Sequence, residues 1–508
     1  MKIPKEILEI IDKLQKANFE AYLVGGCVRD LLLKKQPKDW DITTNARPEE
    51  IQKMFPESVY ENEFATVLVK TNSKLSALKT IEITTFRQEG KYTDKRHPDT
   101  IKFAQTLEED LSRRDFTINA MAMEVGIRNQ ESKVKEKNTS IIHDSKFIIP
   151  RIIDPFNGQE DLKEKFIRAV GNPQERFQED ALRLMRAIRF ACELNFQIAT
   201  ETFKAIQKNA PLLKFIAQER IRDEFTKIIE TPRASQGILL LQQTNLLSQF
   251  IPELEKTIGV TQNKHHLYTV FEHLWRSLEY ASQKNYSLEV RLASLFHDLG
   301  KPKTKEGEGT NATFYNHEIV STQMTRQILT RLKFPTEKIN KITLLVRYHG
   351  FVYDPEITTD AAIRRLLVKV GSQNIQELAQ LREADRIGSG CPKALPFRLR
   401  HFLFKVEKII KQLEGKEPSL KMLKINGNDI MKITKLKPGP KIGFLLNILL
   451  EEVLDDPQKN KKDYLKKRTQ ELNHLSEKEL QQMDKKAKIK YQNLLANEEN
   501  KIKRKYKV

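Results

Sequence analysis

The sequence predicts an α+β head followed by an all-helical remainder, and two observations carry that reading. β-type runs at Ala21 to Val24, Val67 to Lys70, Thr80 to Thr85 and Thr100 to Phe103 crowd into the first 125 or so residues, between helical patterns over Lys5 to Ala17 and Glu49 to Met54. From Glu160 onward strand signals almost vanish, and apolar residues recur at helical spacing in Ala181 to Leu194, Arg220 to Ile229 and Gln236 to Leu247. The 508 residues suffice for about three to four domains at roughly 100 to 200 residues each. Seams are expected at the polar stretch Asn129 to Ser140, near Pro252 to Val260, at Glu306 to Gly309 and at Gly388 to Pro396. No internal repeat of fixed period is visible.

A hydrophobic fraction of 39% supplies ordinary cores and excludes global disorder. Apolar runs such as Gly443 to Leu450 fall far short of the ~20 residues that cross a bilayer, and the N-terminal MKIPKEILEI is amphipathic, without the apolar core of a secretory signal. No membrane partner is expected. Cys27, Cys192 and Cys391 are odd in number and form no CxxC pair, which excludes a disulfide framework or a cysteine zinc site and leads us to expect a cytoplasmic setting. A net charge of +20 calls for a polyanionic partner, nucleic acid or nucleotide. Part of the excess lies in Pro457 to Val508, where 16 Lys/Arg face 7 Asp/Glu and apolar content is low. A solvated appendage is expected there.

Residue chemistry sharpens the picture. Tyr22-Leu-Val-Gly-Gly-Cys-Val-Arg-Asp30 sets Gly25 and Gly26 between an apolar strand and a helix, where backbone N–H groups can approach an anion. Asp39 and Asp41 form an i, i+2 carboxylate pair that, on an extended segment, projects from one face and can share a divalent cation. Glu82 supplies a third acid on a second strand, flanked by isoleucines pointing the other way. Three acids beside a phosphate-cradling turn suit metal-assisted phosphoryl transfer. Asp115 and Asn119 lie one helical turn apart, and Asp180 and Arg183 are i, i+3 helical neighbours that set an acceptor beside a fork of donors.

GG-x-VRD, DWD, EITTFR, YTDKRHP and RRDFTINA, in this order, resemble the class II tRNA nucleotidyltransferases, the CCA-adding enzymes. The likeness runs on through Gly171 to Arg186 and Glu219 to Phe225. It implies a nucleotidyltransferase head with a small mixed, partly antiparallel sheet, followed by all-α neck, HD and body domains. It also implies that Asp39 and Asp41 bind catalytic Mg²⁺ with Glu82 in support, and that Gly25, Gly26 and Arg29 hold the triphosphate. Arg114, Asp115 and Asn119 would surround the ribose and phosphates, Asp180 and Arg183 would read the base of CTP and then ATP, and Arg186 and Arg189 would shape the pocket or meet phosphate. Arg176 is expected to act likewise. Where the family commonly has Gly-Thr-Val this chain has Ala65-Thr66-Val67, and Gln88 to Pro98, with Asp94 and Arg96, resembles the flexible loop that CC-adding members lack.

In the helical half, His273, His297, Asp298 and Asp385 resemble the H…HD…D pattern of the HD phosphohydrolases, with His317 and His349 placed where dinuclear members bind a second metal. Imidazole and carboxylate donors suit a divalent transition metal. The domain expectations are therefore a head over 1–150, a neck over 151–255, an HD domain over 256–390, a tRNA-binding body over 391–456 and a basic extension over 457–508. The expected activity is addition of C, C and A to tRNA, with the tRNA 3′ end and elbow, CTP and ATP as partners. An A-adding enzyme, a bacterial poly(A) polymerase and an HD phosphohydrolase with a non-catalytic RNA-binding head remain as alternatives. Oligomeric state is not legible.

Overall fold

The computed structural model describes residues 3–61, 66–89, 101–129, 146–263, 267–390, 397–413, 419–486 and 501. Two compact units emerge, Met1–Pro252 and Glu253–Val508. The first opens with α1 (Lys5–Lys16), whose Ile7, Ile10, Ile11 and Leu14 form the buried stripe that a 3.6-residue period dictates. There follow β1 (Ala21–Val24), α2 (Gly26–Leu32), β2 (Asp41–Thr44), α3 (Pro48–Met54), β3 (Ser58–Glu61), β4 (Thr66–Lys70) and β5 (Thr80–Thr85). A ribbon pairs β6 (Arg87–Glu89) with β7 (Ile101–Phe103), before α4 (Leu107–Ser112), β8 (Ala122–Asn129) and β9 (Lys146–Ile153).

Seven of these strands form one sheet in the order β3-β4-β5-β2-β1-β8-β9. β2 and β5 run parallel, and the other pairs are antiparallel, so the sheet is mixed as expected. The parallel register sets Asp41 directly opposite Glu82, while Ile42 and Ile83, one residue on, turn to the other face and are fully buried.

α5 (Gly158–Glu164) docks against a 3₁₀ turn at Thr117–Asn119. A Cβ on Gly158 would stand 2.3 Å from the Thr117 carbonyl oxygen, so only glycine permits this approach. Gly158→Ala is expected to lower stability by about 1–3 kcal/mol, the usual cost of overpacking, read by urea denaturation.

Helices complete the unit: α6 (Pro173–Glu179), α7 (Leu182–Leu194), α8 (Thr200–Asn209), α9 (Gln218–Glu230), α10 (Ala234–Gln243), α11 (Leu247–Phe250) and the start of α12 (Pro252–Glu255). Asn172 caps α6 by accepting from the Gln174 N–H, with Pro173 at the first helical position. α7 packs on α9 and α10 and is buried along most of its length, with Leu184, Ile188 and Phe190 among its buried residues.

The second unit is helical: α13 (Val270–Gln283), α14 (Leu288–Phe296), α15 (Lys301–Thr304), α16 (His317–Arg331), α17 (Thr336–Tyr348), α18 (Asp360–Val370), α19 (Ile375–Gly388), α20 (Phe397–Gln412), α21 (Gly427–Thr434), α22 (Pro440–Asp455) and α23 (Lys462–Asn473). No helix among the described residues is long and apolar enough to cross a membrane.

The expected solvated appendage after Asp456 is corrected. Leu465, Leu472 and Leu480 are at most 1% exposed and pack with Ile430, Leu445, Leu449 and Val453. A few leucines at helical spacing suffice to dock a lysine-rich segment, because lysines on the other face remain in water. Tyr464 donates to Glu452, whereas Tyr491 and Tyr506 lie outside the described residues, as do Ala65, Asp94, Arg96 and most of the Asn129 to Ser140 and Gly388 to Pro396 seams.

Candidate functional site

In the first unit the turn after β1 places Gly25 at φ +76°, a left-handed conformation suited to glycine. A Cβ there would meet Arg114 Nη1 at 2.9 Å, so the missing side chain lets the guanidinium sit against the turn. Arg114 lies just beyond α4 and is anchored by the fully buried Asp110, which also accepts from Arg113 Nε at 3.0 Å and Thr43 Oγ1 at 3.3 Å.

Asp39 precedes β2, Asp41 begins it and Glu82 faces Asp41 from β5. Burial pushes the Asp41 carboxyl above the usual aspartate range, opposed by Arg114 and reinforced by Asp39. Glu82 is also raised, by burial and then by Asp41, Glu61 and Asp39. Crowded acids held against their own repulsion form a site that a divalent cation would relieve, and their hard oxygen donors suit such an ion.

A cavity of about 630 Å³ brings together Gly26, Arg29, Asp39 and Asp41 with Arg189 and Phe190 of α7. Arg29 donates to Asp30 at 2.8 Å and to Asn119 Oδ1 at 2.9 Å, and Asn119 in turn lies 3.5 Å from Asp115. Asp115 accepts from Arg186 Nε at 2.7 Å, so α7 is tied to the segment that carries Asn119. Burial would raise the Asp115 carboxyl, but Arg186 outweighs it and leaves the group below its ordinary value.

Asp180 and Arg183 do not share one helix as their spacing suggests. α6 ends at Glu179, Asp180 is extended, and α7 starts at Leu182. Arg183 pairs with Glu179 and donates to the carbonyls of Arg176 and Arg113, while Asp180 accepts from the Leu182 N–H and pairs with Arg220 at 3.3 Å. The break frees the Asp180 carboxylate to cap α7. Arg176 binds Glu179, and Arg189 pairs with the buried Glu224 at 2.9 Å.

In the second unit the histidines gather. His273 and His297 bring their Nε2 atoms to 2.9 Å, and both lie 3.3–3.5 Å from Asp298 Oδ2 and Asp385 Oδ1. On the other side of the same carboxylate, His317 Nε2 is 3.3 Å and His349 Nε2 3.6 Å from Asp298 Oδ1. The Nδ1 atoms of His297, His317 and His349 each meet the carbonyl three residues earlier, at 2.9, 2.8 and 2.7 Å. That contact holds the proton on Nδ1 and turns a lone pair on Nε2 toward Asp298, the arrangement metal-ligating imidazoles use. Among the described residues two groups could hold a metal ion: His273, His297 and Asp298, and then Asp298, His317 and His349. Lys301 Nζ lies 2.6 Å from Asp298 Oδ2, and Arg382 binds Asp385 at 2.6 Å.

Comparison with known proteins follows this geometry. A poly(A) polymerase head domain matches residues 21–168, a "Probable RNA and SrmB- binding site of polymerase A" matches 195–258, and a tRNA nucleotidyltransferase domain 2 matches 312–468. The N-terminal stretch is thus similar to poly(A) polymerase heads and the C-terminal stretch to a tRNA nucleotidyltransferase domain. A CCA-adding enzyme of Lactobacillus helveticus (strain DPC 4571) is 44% identical over 247 residues, 48% of this chain and 55% of that one. One from Anoxybacillus flavithermus (strain DSM 21510 / WK1) is 43% identical over 251 residues, 49% and 56% of the two chains. The chain thus spans about half the length of the curated relatives it matches. Among solved structures, the Bacillus stearothermophilus CCA-adding enzyme in complex with CTP aligns with a TM-score of 0.66 at 28% identity, over 93% of this chain and 98% of that one. The Thermotoga maritima enzyme complexed with tRNA, at 20% identity and a TM-score of 0.53, covers 92% and 96% and shares the fold.

Several residues of the head site escaped sequence reasoning. Lys35, Lys38 and Lys227 line the same cavity as the acids. Lys38 directly precedes Asp39, which was a usable signal. Phe190 lies beneath three guanidiniums, Arg29, Arg186 and Arg189, at 4.4–5.4 Å from its ring, a cation–π arrangement that no linear motif announces. Asp110, the anchor of Arg114, was hidden in an ordinary acidic first turn.

Proposed function

We propose that this chain adds C, C and A to the 3′ end of tRNA from CTP and ATP, releasing pyrophosphate. The observation that carries the reading is the parallel pairing of Asp41 with Glu82, next to Asp39 and Arg29 at one cavity. Asp39 and Asp41 would hold Mg²⁺, with Glu82 in support; when bound, the ion polarises the attacking hydroxyl and neutralises charge on the departing pyrophosphate. Gly25, Gly26, Arg29 and Arg114 hold the triphosphate, and Asp115 and Asn119, oriented by Arg186 and Arg29, face the ribose. Asp180 and Arg183, fixed by Arg220 and Glu179, offer an acceptor and donors to the base edge. The new bond joins the RNA 3′ oxygen to the α-phosphorus, and the bond from that phosphorus to the bridging β-oxygen breaks. Support also comes from the CTP complex of the Bacillus stearothermophilus relative. The work division we propose is head 1–150, neck 151–255, metal-binding domain 256–390 and body 391–456 continuing into the basic segment, in a cytoplasmic protein.

The test is incorporation on tRNA transcripts ending before CCA, after C and after CC, with CTP and ATP supplied singly and together. Completion of CCA on the shortest transcript is expected. Extension of the CC-ending transcript alone would reassign the chain as A-adding, and long A tracts on unrelated RNA would make it a poly(A) polymerase.

A second reading rests on the histidine cluster: an HD-type phosphohydrolase acting on phosphate esters at damaged RNA ends. Aimed Nε2 atoms sharing one carboxylate support a divalent transition metal there. Release of phosphate from a tRNA fragment ending in a 3′-phosphate, or opening of a 2′,3′-cyclic phosphate, is expected on addition of Mn²⁺ or Ni²⁺. Inertness with both substrates would remove this reading and leave the first intact.

A further inference from the structure

α20 divides its basic residues between two environments. Its inner face is anchored by Leu399, Phe402, Val406 and Ile409, and Phe402 packs against the rings of Phe351 and Tyr353 at 4.9 and 5.2 Å. Beside that face Arg398 and Lys405 are paired, with Asp354 at 3.7 Å and Asp360 at 3.0 Å. Outward, at i, i+3, i+7 and i+11, stand Phe397, Arg400, Phe404 and Lys408. Phe397 is 54% and Phe404 62% exposed, two large rings on one face of a single helix. Arg400 and Lys408 are exposed, and neither makes an ion pair among the described residues. Glu407, on the same helix, is neutralised by Lys411 at 2.9 Å. Next to Phe404 a cavity of about 530 Å³ opens, lined by Ile375, Leu403 and Ile410 together with Arg400, Gln376 and Glu407.

We propose that this outward face of α20 binds RNA, with an unpaired base stacked on Phe404 at the cavity mouth, and Arg400 and Lys408 on neighbouring phosphates. The inference rests on the RNA-directed reading above and adds to it a named contact surface. Charge chooses the partner: unpaired cations separate the two exposed rings and Arg400 lines the otherwise largely apolar cavity, which matches the alternation of base and phosphate along a strand. The buried anchor means that the rings are presented by a rigid platform, so little ordering cost accompanies binding.

The experiment uses the full chain and tRNA, with dissociation constants measured by fluorescence anisotropy across a salt series, and nucleotide incorporation alongside. F397A/F404A should weaken tRNA binding by about tenfold or more, since each base–aromatic stack is worth ~1–3 kcal/mol. It should raise KM for tRNA while leaving kcat unchanged, and F404W should restore affinity. R400Q/K408Q should reduce the slope of log affinity against log salt by about 1.5. Both rings are exposed, so the melting temperature serves as a folding control. Wild-type binding with unchanged affinity in F397A/F404A overturns this proposal alone, and so does loss of concentration-dependent self-association in place of RNA affinity, which would assign the face to a second copy. Wild-type protein that binds no RNA overturns it together with the reading it rests on.

Discussion

D39A/D41A should lose nucleotide transfer by about a thousandfold or more, while keeping its affinity for tRNA. Bound divalent ions contribute several kcal/mol to such a transition state, and each 1.36 kcal/mol is a factor of ten in rate. Melting distinguishes this loss from unfolding, and the direction follows from the electrostatics of the cluster. Burial beside Asp39 raises the Asp41 carboxyl, so at neutral pH the folded chain holds a charge that it would rather not hold. Removing the pair therefore leaves the melting temperature in EDTA unchanged or higher. Retained transfer in the double variant would refute the site, and a lowered melting temperature would show these acids to be structural supports instead.

D298A should abolish metal uptake by the helical unit altogether, because one carboxylate faces both groups of imidazoles. Its Oδ2 points to His273 and His297, and its Oδ1 to His317 and His349. Calorimetric titration with Mn²⁺ in the D39A/D41A background, which removes the acids of the head, is expected to give two equivalents, one on adding H317A and none on adding D298A. The same change strands Lys301, 5% exposed, without its counter-ion. Breaking a buried pair by removing one partner costs about 3–5 kcal/mol, so the melting temperature should fall even without metal, and D298N/K301M should recover part of it. Full stoichiometry in D298A would refute the shared-ligand arrangement.

Much of the head was legible because its motifs are local. The Asp39 and Asp41 pair, the Gly25 turn and the first helices follow from spacing within ten or so residues. β8 and β9 were not legible: Met123, Glu124 and Arg128 interrupt the alternation that betrays a strand, and Pro150 argues against one, yet the pairing with β1 and the long ladder between the two strands prevail. Asp180 and Arg183 misled in a different way, since an i, i+3 rule assumes an unbroken helix. Asp180 is a favoured N-cap residue and accepts from the Leu182 N–H, and partners distant in sequence, Arg220 and the Arg113 carbonyl, help to hold the break. The histidine ligand types were readable, but the carbonyls that orient their rings are backbone groups and carry no letter in the sequence.

The burial of Leu465, Leu472 and Leu480 against Ile430, Leu445 and Leu449 also has a temporal side. During synthesis the chain leaves the ribosome in order, so the helices that contain Ile430 and Leu449 emerge well before the leucines that cover them. Until Leu480 is out, those side chains lack part of their native cover, and this region can close only after it, whereas the Met1–Pro252 unit has every residue it needs far earlier. The nascent protein therefore passes through a state with a finished head and an open C-terminal core, the interval in which chaperone binding and aggregation compete.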